Sequence, residues 1–173
     1  TATSCITLPD FTRKTKGLDW DKLCPSSLNL GLNFFKEGKE NSILIVSASW
    51  ISQMRRGDLL DSKKNKLGKV IKNSHIGNSI LKLKKLIGNK ELVVIGHVPG
   101  AGKNLYDIFT RPKPIFIEEE NFEKHFTSQL KPKIKEFNNY LYKLSLETKK
   151  FTFLNPADVL CKDDICTNID EEK

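Results

Sequence analysis

Three histidines, a loop carrying glycines and a lysine, and serines placed after apolar runs are the residues of this chain with the chemistry to form a site. The loop comes first. In "ELVVIGHVPGAGKN", residues 91–104, an apolar run leads straight into glycines and Lys103. A phosphate-binding loop needs a glycine, four residues, then Gly-Lys-Ser or Gly-Lys-Thr, because backbone amides wrap the phosphates and the hydroxyl ligates magnesium. Counting back from Gly102 and Lys103, the first glycine position holds His97, and the hydroxyl position holds Asn104. Pro99 removes a further amide donor from the cradle. The motif therefore fails, and what remains is a loop at the end of a strand. Ligands of α/β sheets sit at the carboxyl ends of strands, so His97 and Pro99 stay candidates for a site of another kind.

Acyl transfer through serine would need a hydroxyl activated by a base, and donors aimed at the developing oxyanion. His75 lies in a polar stretch and His125 in the acidic "EEENFEKHF", and neither sits in a catalytic motif. His97 alone falls at a strand end; its plainer reading is a solvent-facing loop residue. Ser47 and Ser49 follow the apolar run "SILIV" and are small enough to let donors approach an oxyanion. Trp50 closes that turn, either as a pocket wall beside Pro99 or as a packed core residue.

The elements that would position these residues follow from periodicity. "TATSCI" is rich in β formers and reads as a short strand, and the stretch from Thr7 to Pro25 reads as loop. Ser26 or Ser27 is placed to cap a helix whose apolar positions are Leu28, Leu32 and Phe35, with Gly38 at its end. "SILIVSA" and "ELVVIG" are uninterrupted apolar runs of the buried, parallel kind. Between them, the lysine-rich stretch from Met54 to Ser74 reads as a long loop or frayed helix. A helical stripe of Ile76, Ile80, Leu83 and Ile87 then ends at Gly88. "RPKPIFIEEENF" predicts a short strand or a helix start. Pro132 suits a first helical turn, followed by Ile134, Phe137, Leu141 and Leu144 on one face. "KFTFLNP" closes the series as a last strand. Strands alternating with helices predict a three-layer α/β/α sandwich with a mostly parallel sheet, as a single domain over residues 1–173.

Composition sets bounds. A chain of 173 residues with 38% hydrophobic content suits one globular domain, and no window approaches the roughly 20 apolar residues of a membrane span. The first residue is Thr1, which suggests a piece of something longer. The net charge of +8 comes from lysines spread along the chain without interleaved aromatics. That favours a solvated basic surface, suited to lipid headgroups or acidic glycans, over nucleic-acid recognition. Four cysteines form two local pairs, Cys5 with Cys24 and Cys161 with Cys166, and no zinc-ligand spacing surrounds them. Two local disulfides in an oxidising compartment fit best; the alternative is four free thiols in the cytosol.

Three stretches in order carry a resemblance: "TATSCITLP" with a later Cys24, "ILIVSASW", and "ELVVIGHVPG" followed far downstream by "ADVLCKDDIC". Together they resemble the extracytoplasmic SGNH-hydrolase-like domain fused to membrane acyltransferases of the O-antigen and lipopolysaccharide O-acetylase type. The resemblance implies a flavodoxin-like α/β/α topology. It also implies a periplasmic monomer tethered to the inner membrane by an acyltransferase domain in the same polypeptide. The implied activity is transfer of an acetyl group to sugar hydroxyls of an envelope polysaccharide. The domain itself would bind no cofactor, with acetyl-CoA serving the membrane partner. A carbohydrate esterase and a non-catalytic glycan-binding or structural module are the alternatives. The family's nucleophile lies in a Gly-Asp-Ser turn and its base in Asp-x-x-His. Neither motif occurs here: "GDLL" lacks the serine, and Asp170 is followed three residues later by Lys173. Both catalytic segments are thus expected outside these residues, leaving Ser4, Ser47, Ser49, Trp50, His97 and Pro99 as pocket or oxyanion candidates.

Overall fold

The structure is a computed structural model that describes residues 5–14, 16–55, 59–67, 71–100 and 127–167. Its centre is a parallel three-stranded sheet in the order β2 (Ile43–Val46), β4 (Glu91–Ile95), β6 (Thr152–Leu154). Leu44 pairs with Leu92, Val46 with Val94, and Val94 with Phe153. Side chains alternate along a strand, so these apolar residues share one face. Three long helices lie over that face: α1 (Trp20–Glu37), α3 (Asn73–Ile87) and α4 (Pro132–Thr148). Leu32 of α1, the Ile76, Ile80, Leu83 and Ile87 stripe of α3, and Phe137 and Leu141 of α4 join Val46, Leu92 and Val94 in one core. The α/β class, the parallel sheet, and the helices expected from the Ile76 stripe and at Pro132 are as predicted. The architecture is consistent with an SGNH-like α/β/α fold.

The uninterrupted apolar runs predicted strands covered on both faces. Among the described residues the long helices cover one face. On the other, Ile43, Ile45 and Leu154 are each more than half exposed.

Two segments depart from expectation. The first helix begins at Trp20, ahead of the proposed serine cap, and contains Pro25. Ser26 instead turns its hydroxyl back to donate to the Lys22 carbonyl, 2.8 Å away. Pro25 is the sixth residue of the helix, so the Asp21 carbonyl loses its ladder hydrogen bond there. The disulfide from Cys24 to Cys5 ties that first turn to the preceding chain. The stretch after Met54 is not simply loop. β3 (Leu59–Leu60) pairs antiparallel with β1 (Thr12–Arg13), burying Leu59 and Leu60. Asp61 then accepts the Lys63 and Asn65 amides, each at 2.8 Å, in a tight polar turn. Cys5 and Ile6 are buried without forming a strand. The segment "RPKPIFIEEENF", His125 and residues 1–4 lie outside the described residues.

Lys90 joins sheet to helix. Its ammonium donates to the carbonyls of Phe35 at 2.6 Å, Gly38 at 2.8 Å and Lys36 at 3.2 Å, and sits 4.9 Å from the centre of the Phe35 ring. A cation there satisfies the orphan carbonyls at the negative end of α1.

A small antiparallel sheet, β5 (Thr127–Gln129), β8 (Ile165–Thr167) and β7 (Cys161–Lys162), follows the short helix α5 (Ala157–Leu160) in space and carries the second disulfide. Cys161 and Cys166 face each other directly in the hairpin register. The two bridges close loops of different length, with sequence separations of 19 and 5. Chain entropy then assigns about 3 kcal/mol to Cys5–Cys24 and about 2 kcal/mol to Cys161–Cys166. Urea unfolding of the paired Cys→Ala variants should show the larger loss for the first pair; the reverse order would refute the assignment.

Candidate functional site

Parallel pairing places the carboxyl ends of β2, β4 and β6 on one edge, so the turns after Val46 and Ile95 emerge side by side. Between them and the start of α4 opens a cleft of about 630 Å³. Ser49, His97 and Pro99 line it, together with Arg55, Lys131 and Lys133. The strand ends near Thr3 and Ser4, at Ser47 to Trp50 and at His97 to Pro99 are expected to converge on one edge; Ser49 and His97 to Pro99 meet at this cleft, and the first stretch lies outside the described residues. Ser47 is exposed but does not line this cleft, and Ser4 lies outside the described residues.

Trp50 is a core residue rather than a cleft wall. It is fully buried, packs 6.2 Å from the Phe137 ring, and donates its indole N–H to the Ile95 carbonyl at 2.9 Å. A buried indole needs an acceptor. Here that acceptor is the last carbonyl of β4, so Trp50 fixes the β2 turn against the end of β4. It starts α2 (Trp50–Met54), whose C-cap is Arg55.

His97 is 9% exposed, contrary to the solvent-facing reading. Its backbone is held by one side chain. The His97 amide donates to Oδ1 of Asn138 at 2.8 Å, and Nδ2 of Asn138 donates back to the His97 carbonyl at 3.1 Å. The same Nδ2 donates to Oδ1 of Asn155 at 2.8 Å, just past β6, and Nδ2 of Asn155 donates to Asp158 at 2.7 Å. Gly96 makes this approach possible: a Cβ there would lie 2.8 Å from Asn138 Oδ1 and 2.9 Å from the Phe153 ring. On the far side of the loop, Ser128 of β5 donates to the Gly100 carbonyl at 2.7 Å.

Asn138, Ser128 and the cations Arg55, Lys131 and Lys133 are site residues that sequence reasoning missed. Asn138 carried a readable signal, a polar amide on the apolar stripe of Ile134, Phe137 and Leu141. Ser128 carried none.

Among the described residues Nδ1 of His97 has no hydrogen-bond partner, and it is sealed from solvent. Burial holds its pKa below the ordinary value of 6.5, and the positive charges of Arg55 and Lys131 push in the same direction. The ring is thus neutral at pH 7. Among the described residues no group of histidine, cysteine and carboxylate side chains has the arrangement of a metal site. The geometry supplies a concave, cationic edge with a neutral histidine and the Ser49 hydroxyl. It can bind and orient a polar substrate.

The lowered pKa of His97 has a sign for stability. The unfolded chain takes up this proton first, so the contribution is whole above 6.5 and is lost as pH falls through the lowered folded value. Thermal melts between about pH 7.5 and pH 5 should show a smaller drop in Tm for His97→Gln than for the wild type. Equal slopes would show that His97 is not held neutral by the fold.

The comparisons with known proteins come down on one family. No curated protein and no solved structure shows significant similarity to the chain. One family model does match, over residues 1–173, and its description is SGNH domain (fused to AT3 domains). With the parallel sheet and the two disulfides already in place, the chain belongs to the family of SGNH domains fused to AT3, or acyltransferase-3, domains.

Proposed function

We propose that this domain works with a membrane acyltransferase domain of the same polypeptide to move an acetyl group onto a sugar hydroxyl of an envelope polysaccharide. The observation that carries the reading is the cleft at the carboxyl edge of a parallel sheet, built by residues of a family defined by its fusion to acyltransferase-3 domains. In this reading the acetyl group reaches the domain from acetyl-CoA through the membrane partner. The Gly-Asp-Ser and Asp-x-x-His groups that the resemblance implies would activate serine and abstract the acceptor proton. In this reading the residues described here bind and orient the acceptor, and Ser49 with the Val98 and Gly100 amides would meet a developing oxyanion, because the Gly96 and His97 amides are already taken by Leu154 and Asn138. Two disulfides support a periplasmic or other extracytoplasmic location, since such bonds persist in oxidising compartments. Lysines scattered over the surface suit work beside anionic lipid and glycan.

The test is made in cells that produce the whole polypeptide. Acetate released by mild alkali from purified envelope polysaccharide should fall to background when this domain is deleted. It should fall at least about ten-fold with Asn138→Leu, because misplacing a positioning loop by an ångström costs rates of that order or more. Unchanged acetate in the deletion strain would overturn the reading. Acetate that rises on deletion would instead assign the domain to deacylation.

A further inference from the structure

The cleft carries more positive charge than its fold requires. Arg55, Lys131 and Lys133 line it, and no aspartate or glutamate among the described residues does. Elsewhere Lys64, Lys82 and Lys135 each meet an aspartate. The three cleft cations have no ion pair among the described residues. Glu136 lines an adjoining hollow with Arg55 and Lys133, also without an ion pair. Like charges gathered in a concavity repel one another and raise the local concentration of anions.

The start of α4 adds to this field. Helix caps favour serine, threonine, aspartate or asparagine, and first turns favour acids. Here the N-cap is Lys131, no side chain caps the amides, and the first turn holds Lys133 and no acid. The 17-residue helix thus starts at the cleft with two lysines at its beginning; Pro132 has no amide and the Ile134 amide donates to the Lys131 carbonyl at 2.8 Å, which leaves the Lys133 amide without a helical partner.

His97 is a second, independent sign of a ligand. Its side chain is buried and lines the cleft, and Nδ1 makes no hydrogen bond among the described residues. A buried polar group without a partner is rare and costly. With Nδ1 sealed, Nε2 is the nitrogen left to meet a ligand, and as the Nε2–H tautomer the neutral ring would donate to an anion.

We propose that this cleft binds an anionic group carried by the acceptor sugar, a carboxylate or a phosphate ester, with Arg55, Lys131 and the open end of α4 meeting its charge and His97 donating a hydrogen bond. The inference deepens the acetyl-transfer reading and rests on it. A guanidinium fits either oxyanion through two parallel hydrogen bonds. A neutral glycan would leave the cations unanswered. Bound anion would also offset the repulsion that Arg55 and Lys131 exert on a protonated His97, so the ring should titrate at higher pH in the complex.

The test uses the 173-residue chain at about 0.15 M salt, where long-range surface attraction is screened. Galacturonic acid, glucose 6-phosphate, inorganic phosphate, galactose and glucose are titrated in, read by calorimetry and by NMR of the histidine rings. Saturable binding of a sugar anion is expected, with the His97 resonance shifting and its titration moving upward. Affinity should fall at least about ten-fold in Arg55→Ala and in Lys131→Ala, the loss of one charge-assisted contact. It should be unchanged in Lys39→Ala, an exposed lysine at the opposite end of β2. Binding of galacturonic acid alone assigns a carboxylate, and binding of glucose 6-phosphate alone assigns a phosphate ester. The proposal is overturned if neutral sugars bind as tightly as their anionic counterparts, or if the two charge variants bind normally. It is also overturned if inorganic phosphate binds as tightly as the sugar anions, which would make the site a general anion trap. Acetate content separates this inference from the one beneath it. Loss of acetate on domain deletion without anion binding removes only the anionic acceptor. Anion binding with unchanged acetate removes the transferase.

Discussion

One amide side chain holds the working edge of this domain. Asn138 sits at 2% exposure on the inner face of α4 and takes both backbone hydrogen-bonding groups of His97, as a neighbouring strand would. The chain leaving β4 is therefore locked to α4 at the point where its sheet partners end. The same amide reaches Asn155 after β6, and Asn155 accepts the Ala157 amide that opens α5. Trp50 grips the neighbouring Ile95 carbonyl from the β2 side. Three strand ends and three helices thus meet around a few polar atoms in a surface otherwise sealed by Phe137, Leu141 and Val94. Buried networks of this kind are costly unless fully satisfied. Leaving the His97 amide and carbonyl without Asn138 would cost about 1–3 kcal/mol for each orphaned group.

The lock explains why the cleft beyond it can be unfavourable on its own terms. A buried histidine beside cations that have no ion pair among the described residues, at a helix start without a side-chain cap, adds little to the stability of the fold. It persists because the surrounding structure fixes it. The core of the sheet, Lys90 on the end of α1, and two disulfides supply stability elsewhere. Strain of this sort gathers at functional sites, where local rules are broken and the rest of the fold compensates.

Most of the scaffold was legible in the residues. β2 and β4 announced themselves as uninterrupted apolar runs, α3 as a four-residue stripe ended by Gly88, and α4 by Pro132 at its first turn. The cysteine pairs showed in their spacing. What escaped was set by tertiary contact. Pro25 marked a boundary by local rule, yet the turn around it is pinned by Cys24 and the helix runs through. Two-residue strands such as β1 and β3 have too little period to read, and form because Leu59 and Leu60 have a core to enter. Of the site, the strand-end position of His97 and Pro99 was readable from the apolar run before them. The burial of His97 was not, because it depends on an asparagine 41 residues away. The cationic wall was invisible for a similar reason, since Arg55 and Lys131 are far apart in sequence and meet only across the cleft.

Amide hydrogen exchange at His97 tests the central claim most directly, compared between the wild-type chain and Asn138→Leu. If Asn138 is the lock, the His97 amide exchanges slowly in the wild type. It should speed up at least about a hundred-fold in the variant, the equivalent of one buried hydrogen bond and its desolvation, while the Val94 amide inside the sheet stays protected. A His97 amide that exchanges at the same rate in both proteins would contradict the account.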